Sequence, residues 1–551
     1  MKARLALGLD FGTESARAIL VDIGDGTVVG QAAVAYAHGV IDRQLPGTSV
    51  PLPPDYALQD PRDWLDSAGT ACKKALSSSG AIPEQIIGLG VAFTSCTMLP
   101  ATADGTPLCL IDKFKNVPLA WPKLWKHHAA KDETDRINKI ARERDEPWLK
   151  YYGGIVGLEW FFPKVLETLN HRPDVYEATD VWIEAGDWWV WQLTNGPYPD
   201  CSPRQIARST CQAGYKAMWN RDSGYPSREY FAAMHPGMTD VVDKKMPGEL
   251  RSPANCAGAL TERAAQLLGL KTGTPVATAI IDAHAGVPGA GVGDPDTMVL
   301  VLGTSACHML NSHVEKFVPG VAGVVAEGIL PGYFGYETGQ ASVGDAFGWL
   351  VEQFKLDHVE MMERAKQFPP GSGGVLALDW LNGCRTPLMD GRLTGGFVGL
   401  TLGTEPAQLY RALIEATGFG LRWIVDTLRE GGVPVKRFVA SGGLPVKNPL
   451  LMQIYADILG SPIALAESQD SVAVGAAILG CLAAGESVTG YKTIHDAIAA
   501  VGRQRSDLTY RPDRDHQIQY DKLYGLYRKL AESSCIVPNV MRELRNLNIS
   551  E

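Results

Sequence analysis

The opening stretch LALGLDFGTESARAIL constrains the fold more than any other part of the sequence. Leu5, Leu7 and Leu9 alternate with Ala6 and Gly8, a two-residue period that predicts a strand. The strand runs into Asp10-Phe-Gly-Thr-Glu-Ser15, a turn made of a carboxylate, a glycine and hydroxyls. A second apolar run, Ala16 to Val21, follows at once with only Arg17 interrupting it. Gly24, Asp25 and Gly26 turn the chain again, and Thr27 to Ala35 reads as a third strand. Such a meander requires a mixed sheet, because parallel strands cannot be joined by tight turns.

The pattern restarts far downstream. Met298 to Leu302 reads as a strand, Gly303-Thr304-Ser305 as its glycine and hydroxyl turn, and His308 to Leu310 as the returning arm. The likeness suggests a weak internal duplication. Between the two, helices and strands alternate. Asp60 caps a helix that starts at Pro61 and runs to about Ser77. Ile86 to Phe93 is a strand that ends in the loop Thr94-Ser95-Cys96-Thr97. Residues 120–150, Leu158 to Leu169 and Asp187 to Leu193 read as helical, the last with Trp188, Trp189 and Trp191 in the core. Val276, Thr278 and Ile280 alternate in a strand ending at Ile281-Asp282-Ala283-His284. The Gly- and Pro-rich run AGVPGAGVGDPD reads as a linker, which places a boundary between domains 1–290 and 291–551. The tail beyond about 510 reads as a surface helix with a loose end. Strands and helices interleaved over both halves give an α/β class.

Composition excludes several functions. Of 551 residues, 45% are hydrophobic and 20% charged, which excludes wholesale disorder, and the net charge of −10 argues against a nucleic-acid or anionic-membrane binder. The ten cysteines include no C-x-x-C, so neither a zinc ribbon nor a thioredoxin-like motif is present. The apolar run Ser471 to Gly485 is too short to span a bilayer and reads as a buried, small-residue helix. The N-terminus lacks a signal-peptide core, so a cytoplasmic location is expected. The P-loop is missing, since Leu270 stands where its glycine is required, and neither H-E-x-x-H nor G-x-S-x-G occurs. A lone His284 reads as a structural partner rather than a ligand.

What remains is a set of polar loops at strand ends. Gly12 allows a tight turn whose N–H groups converge on an anion, and Thr13 and Ser15 add hydroxyl donors. Asp10 is an oxygen ligand suited to Mg²⁺, directly or through water. Gly303, Thr304 and Ser305 repeat that chemistry, so two such hairpins could grip a polyphosphate. A third loop, Ser441-Gly442-Gly443, allows close backbone approach to a flat group such as a purine or its ribose. It precedes a helix, Pro449 to Leu459, that Asn448 is placed to cap.

These strings resemble the FGGY family of carbohydrate kinases, within the actin/hexokinase/Hsp70 ATPase superfamily, over about residues 5–525. DFGTESAR and LGTSA resemble its two phosphate loops, SGGLPVKNPLLMQIYADILG its adenosine motif, and GGFVGLTLGTEPAQLYRALIEAT its C-terminal signature. The resemblance implies two RNase-H-like lobes around a central cleft, the N-terminal one holding sugar and the C-terminal one ATP with Mg²⁺. It implies Asp282 as the catalytic base that takes the proton of a sugar hydroxyl. It implies Lys216 and Glu337 as sugar-binding residues, with Ser95 and Trp125 beside them. The strings DYALQDPRDWLDS, FTSCTMLP, LWKHHAA, CQAGYKAMW, IDAHAG and GYETGQASVGDAFGW are similar to the family's pentulose kinases of arabinose breakdown. They imply transfer of the γ-phosphate of ATP to the 5-hydroxyl of L-ribulose. The partners implied are a small sugar and ATP, with no nucleic acid and no membrane, and a homo-oligomer is compatible. Another ketopentose or polyol, a non-kinase actin-fold ATPase and a sugar sensor without catalysis stay open as alternatives. No β-rich peptide-binding domain follows residue 525, which speaks against a chaperone.

Overall fold

The computed structural model describes residues 3–532 and 534–548. The chain forms two compact units, and each contains a mixed sheet. The first unit comprises residues 1–293, Val325–Gly335 and Asp470–Arg503; the second comprises Asp294–Val324, Tyr336–Gln469 and 504–551.

In the first unit the expected meander forms as β1 (Leu5–Phe11), β2 (Ser15–Asp22) and β3 (Val28–Ala35). It is joined by β4 (Ile86–Phe93), β5 (Cys256–Ala259), β6 (Pro275–Ala277) and β7 (Ile280–Ile281). The sheet runs β3-β2-β1-β4-β6-β5, with β7 also paired to β4. β1 is antiparallel to β2 and parallel to β4. Apolar side chains of β1 and β4 pack with Trp64, Trp188, Trp189 and Trp191 in one buried cluster. Phe11 stacks on Phe93 with ring centroids 4.7 Å apart.

A second sheet, most of it in the second unit, repeats this order. Its strands are β8 (Thr297–Leu302), β9 (Ala306–Ser312), β10 (Gly323–Ala326), β11 (Phe334–Gln340), β12 (Arg437–Ser441), β13 (Ile463–Ala466) and β14 (Gln504–Tyr510). They run β10-β11-β9-β8-β12-β13-β14. Here β8 is antiparallel to β9 and parallel to β12, as β1 is to β2 and β4. The duplication read from two short strings is thus a duplication of strand order.

Three sequence readings change. The first five residues of the glycine-rich run read as a linker, Ala285–Gly289, belong to the helix Asp282–Gly289, with Pro288 inside it and its body buried. Its small residues serve close packing rather than flexibility. A Cβ on Gly289 would lie 1.7 Å from the Ser471 carbonyl oxygen, so the two backbones nearly touch. The strand expected through Ile280 breaks at Thr278, whose N–H and hydroxyl both donate to the Asn255 carbonyl. Residues 121–130 are not helical; within 120–150 the α-helix is Lys131–Glu143. The helix Pro61–Ser79 starts on Asp60, whose carboxylate accepts from Arg62 N–H. The tail, read as one surface helix with a loose end, forms two helices, Arg514–Ala531 and Ile536–Asn548, and residues 549–551 lie outside the described residues.

Candidate active site

Strand register brings three of the predicted loops to one edge of the first sheet. Phe11 pairs with Phe93, and Ile281 pairs with Phe93 from the other side. The next residue of each strand is Gly12, Thr94 and Asp282. The phosphate-type hairpin, the Ser95 loop and the predicted base therefore leave neighbouring parallel strands at their carboxyl ends, where ligands bind in open α/β sheets.

At the hairpin, Gly12 N–H donates to the Ser15 carbonyl at 3.0 Å and closes the turn. The Tyr36 hydroxyl donates to the Gly12 carbonyl at 3.1 Å. Gln59 Nε2 donates to the Thr13 carbonyl at 2.7 Å. These bonds pull carbonyls away from the tip and leave it rich in donors. Asp10 is nearly buried, and its Oδ2 accepts from Arg17 Nη1 at 2.9 Å. Arg17 Nε lies 3.2 Å from Asp470 Oδ1, so one guanidinium joins two carboxylates. Burial pushes the Asp10 carboxyl up to about 6, against the pull of Arg17. In the sequence Arg17 reads only as an interruption of the apolar run Ala16 to Val21. Its signal was that it is the sole cation on an otherwise apolar strand.

Asp282 opens its helix, and its Oδ1 accepts the Ala283 N–H at 2.7 Å, which orients the carboxylate. It is half-buried. His284 is buried against Tyr215, ring centroids 4.2 Å apart, consistent with a packing role. Ser95 is half-buried in a loop held by a 2.7 Å bond between the Thr94 and Thr97 hydroxyls. Trp125 donates its indole N–H to the Thr13 hydroxyl at 3.0 Å, joining the LWKHHAA loop to the phosphate hairpin. Lys216 ends the helix Thr210–Lys216, is nearly buried, and has its ammonium 5.7 Å from the Trp160 ring centroid.

The second unit carries the remaining predicted residues. β8 and β12 pair in parallel through Val301 and Ser441, so Gly303 and Gly442 leave the same edge of that sheet. Gly303 N–H donates to the Ser305 carbonyl at 3.0 Å. The first N–H groups of the helix Gly344–Phe354 donate to the Gly303 and Thr304 carbonyls, leaving the tip exposed. Gly442 has φ +96°, and a Cβ there would lie 2.5 Å from the Leu302 carbonyl oxygen. Its close approach is thus to its own sheet. Gly443 opens a short helix, Gly443–Lys447, unseen in the sequence. Asn448 caps Pro449–Leu459 by accepting the Leu451 N–H at 3.0 Å, and its amide donates to the Tyr410 hydroxyl. Glu337 is buried on β11.

Sequence comparison agrees with this plan. The N-terminal domain of the FGGY family of carbohydrate kinases matches residues 5–289, and its C-terminal domain matches residues 298–484. A ribulokinase of Anoxybacillus flavithermus is 45% identical over 543 residues, covering 96% of this chain and 94% of the relative. A ribulokinase of Mycolicibacterium smegmatis is 42% identical over 556 residues, covering 98% and 96%. Among solved structures, the fold is similar to xylulose kinase from Rhodospirillum rubrum, with TM-score 0.74 and 24% identity over 95% of this chain and 97% of that one. It is also similar to Plasmodium falciparum glycerol kinase with ADP, with TM-score 0.73 and 16% identity over 96% and 99%. A strand order repeated in two units, glycine and hydroxyl hairpins on both sheets, and matches running nearly end to end place this chain in the FGGY family of carbohydrate kinases.

Proposed function

We propose that this chain is an ATP-dependent ribulose kinase that phosphorylates the 5-hydroxyl of L-ribulose. The observation that carries the reading is the shared sheet edge from which the phosphate hairpin, the Ser95 loop and Asp282 emerge. Identity of 42–45% to ribulokinases over nearly the whole chain supports ribulose as the acceptor.

Asp282 accepts the proton of the attacking hydroxyl, with its carboxylate oriented by the Ala283 N–H. Lys216 binds sugar hydroxyls as a donor, with Ser95 and Trp125 contributing from the same unit, and Glu337 is suited to accept from a sugar hydroxyl. The hydroxyls of Thr13 and Ser15 donate to phosphate oxygens, a role that Thr304 and Ser305 are also suited to. The Gly442-Gly443 loop and Asn448 lie on the nucleoside side. Asp10 would hold Mg²⁺ through a single carboxylate, whose Oδ2 also accepts from Arg17, and such an ion keeps waters and substrate phosphates as its other ligands. Such an ion would neutralise developing phosphate charge.

The test is ADP release over a panel of ketoses and polyols at fixed ATP, for the wild type and Asp282→Asn. L-Ribulose is expected to give the highest kcat/KM. The variant, which keeps the acceptor for Ala283, is expected to lose about 10²–10⁴ in kcat with KM for ATP little changed. A different best sugar would shift the substrate. ATP turnover unaffected by every sugar would favour the plain ATPase reading, and a variant near the wild-type rate would remove Asp282 as base.

A further inference from the structure

Lys164 lies on the helix Phe161–His171 among Phe161, Phe162, Val165 and Leu166, and it is fully buried. Its ammonium donates to the Cys96 carbonyl at 2.6 Å and to the Leu124 carbonyl at 2.9 Å. Those two carbonyls are remote in sequence, and each adjoins a residue assigned above to the sugar: Ser95 on one side, Trp125 on the other. Cys96 itself has φ +56°, a left-handed conformation uncommon for a residue with a side chain. Such a backbone persists when its surroundings over-determine it. Here the bond from Lys164, the Thr94–Thr97 hydroxyl bond and the Ala185 N–H to the Thr97 carbonyl hold the loop.

One turn further along the helix, Glu167 accepts from His127 at 2.9 Å, so Lys164 and Glu167 together grip both flanks of the Trp125 segment. Glu184, at the base of the Ser95 loop, is buried, and neither of its carboxylate oxygens has a hydrogen-bond partner among the described residues. Burial pushes its carboxyl up to about 8, with Lys164 and Lys216 pulling the other way through space. For stability alone, an apolar side chain of similar size would fill this core position at less cost than a buried ammonium. What the ammonium adds is a tie between two loops.

We propose that Lys164 is a positioning residue of the sugar site: its ammonium joins the Cys96 and Leu124 carbonyls, setting Ser95 and Trp125 relative to each other and, through the Trp125 indole, orienting the Thr13 hydroxyl. With one lone pair of that hydroxyl taken by the indole N–H, its own hydrogen is directed elsewhere, toward a phosphate. This inference rests on the kinase reading above.

The experiment compares initial rates of wild type, Lys164→Met and Lys164→Gln, varying ketose and ATP separately. Met has a similar length and no donor; Gln keeps a shorter donor. Lys164→Met is expected to raise KM for the ketose by about tenfold or more while KM for ATP stays within about twofold, with Lys164→Gln between it and wild type. Combining Lys164→Met with Trp125→Phe is expected to cost less than the product of the separate effects, because both break one link. Ketose KM near wild type, an equal rise in both KM values, a full product in the double variant, or failure of both single variants to fold would each overturn the proposal. Wild-type enzyme that no ketose accelerates would instead overturn the kinase reading, so the two failures are distinct.

Discussion

Lys216 shows how a single side chain can decide sugar affinity. It is nearly buried at a helix end, with an aromatic ring behind its ammonium. A cation kept that dry gains strongly from a hydroxyl oxygen placed opposite it, because few waters compete. Lys216→Ala is therefore expected to raise KM for the ketose by about tenfold or more and to leave KM for ATP within about twofold, read from initial rates with the other substrate saturating. An equal rise in both would place Lys216 elsewhere. At this scale the sequence is eloquent about residues in polar strings, such as Asp10, Thr13 and Asp282. It singles out nothing at Lys164, which stands in the apolar stretch FFPKVLETL. The clue was available in the apolar neighbours on every side of it. Its partners, however, are carbonyls, and backbone partners leave no trace in residue identity.

Elements of the second unit are joined by a buried polar chain. His308 on β9 bonds Gln340 on β11 at 3.1 Å, and Gln340 donates to Asp379 at 3.0 Å and to the Thr417 carbonyl at 2.9 Å. Tyr527 donates to the other Asp379 oxygen at 3.2 Å. Two strands of the sheet are thereby tied to the helices Pro406–Glu430 and Arg514–Ala531. Burial pushes His308 down to about 4 from 6.5, with Arg385 adding to the effect and the Gln340 bond opposing it. The unfolded chain then binds more protons than the native one between those values, so this group withdraws stability as pH falls from 6.5 toward 4. Asp379 is pushed up by burial to about 6 and acts in the opposite sense, favouring the native state as pH falls through 6. The comparison that isolates His308 is a difference. Between pH 7 and about pH 4, the urea midpoint of His308→Gln relative to wild type is expected to move in the variant's favour. A constant difference would mean that His308 titrates normally. Elements with strong periodicity were legible in sequence, including Pro61–Ser79, Pro449–Leu459 and Ser471–Ala484. The helix Asp282–Gly289 was not, because Gly and Pro in a row signal turns by propensity, and packing overrode the propensity.

Across the whole molecule, the chain crosses between its two units several times. The helix Ser471–Ala484 belongs to the first unit although it comes late in the chain, and it lies on β1 and β4. The contact is backbone on backbone: a Cβ on Gly90 would fall 1.8 Å from the Ala476 carbonyl oxygen. No side chain could fill that face if the helix were missing. A fragment ending at Gly293 is thus expected to lose cooperative thermal unfolding, and co-expression with residues 470–503 is expected to restore it. Circular dichroism melts check both. A fragment ending at 293 that melts as sharply and as high as the full chain would show the helix to be dispensable. The return of this helix could not be read from the sequence, since its own residues say only that it is small-sided and buried.

By itself the sequence determined the repeated strand–turn–strand pattern, the glycine and hydroxyl chemistry at the tips and the family those tips resemble. These depend on neighbours a few residues apart, where periodicity and turn preference act directly. Tertiary structure alone decided that Gly12, Thr94 and Asp282 leave one sheet edge, that Trp125 reaches the Thr13 hydroxyl, and that one buried ammonium gathers two distant carbonyls. Those are matters of register and backbone approach between segments far apart in the chain, and the identity of a residue does not encode which remote carbonyl it will meet.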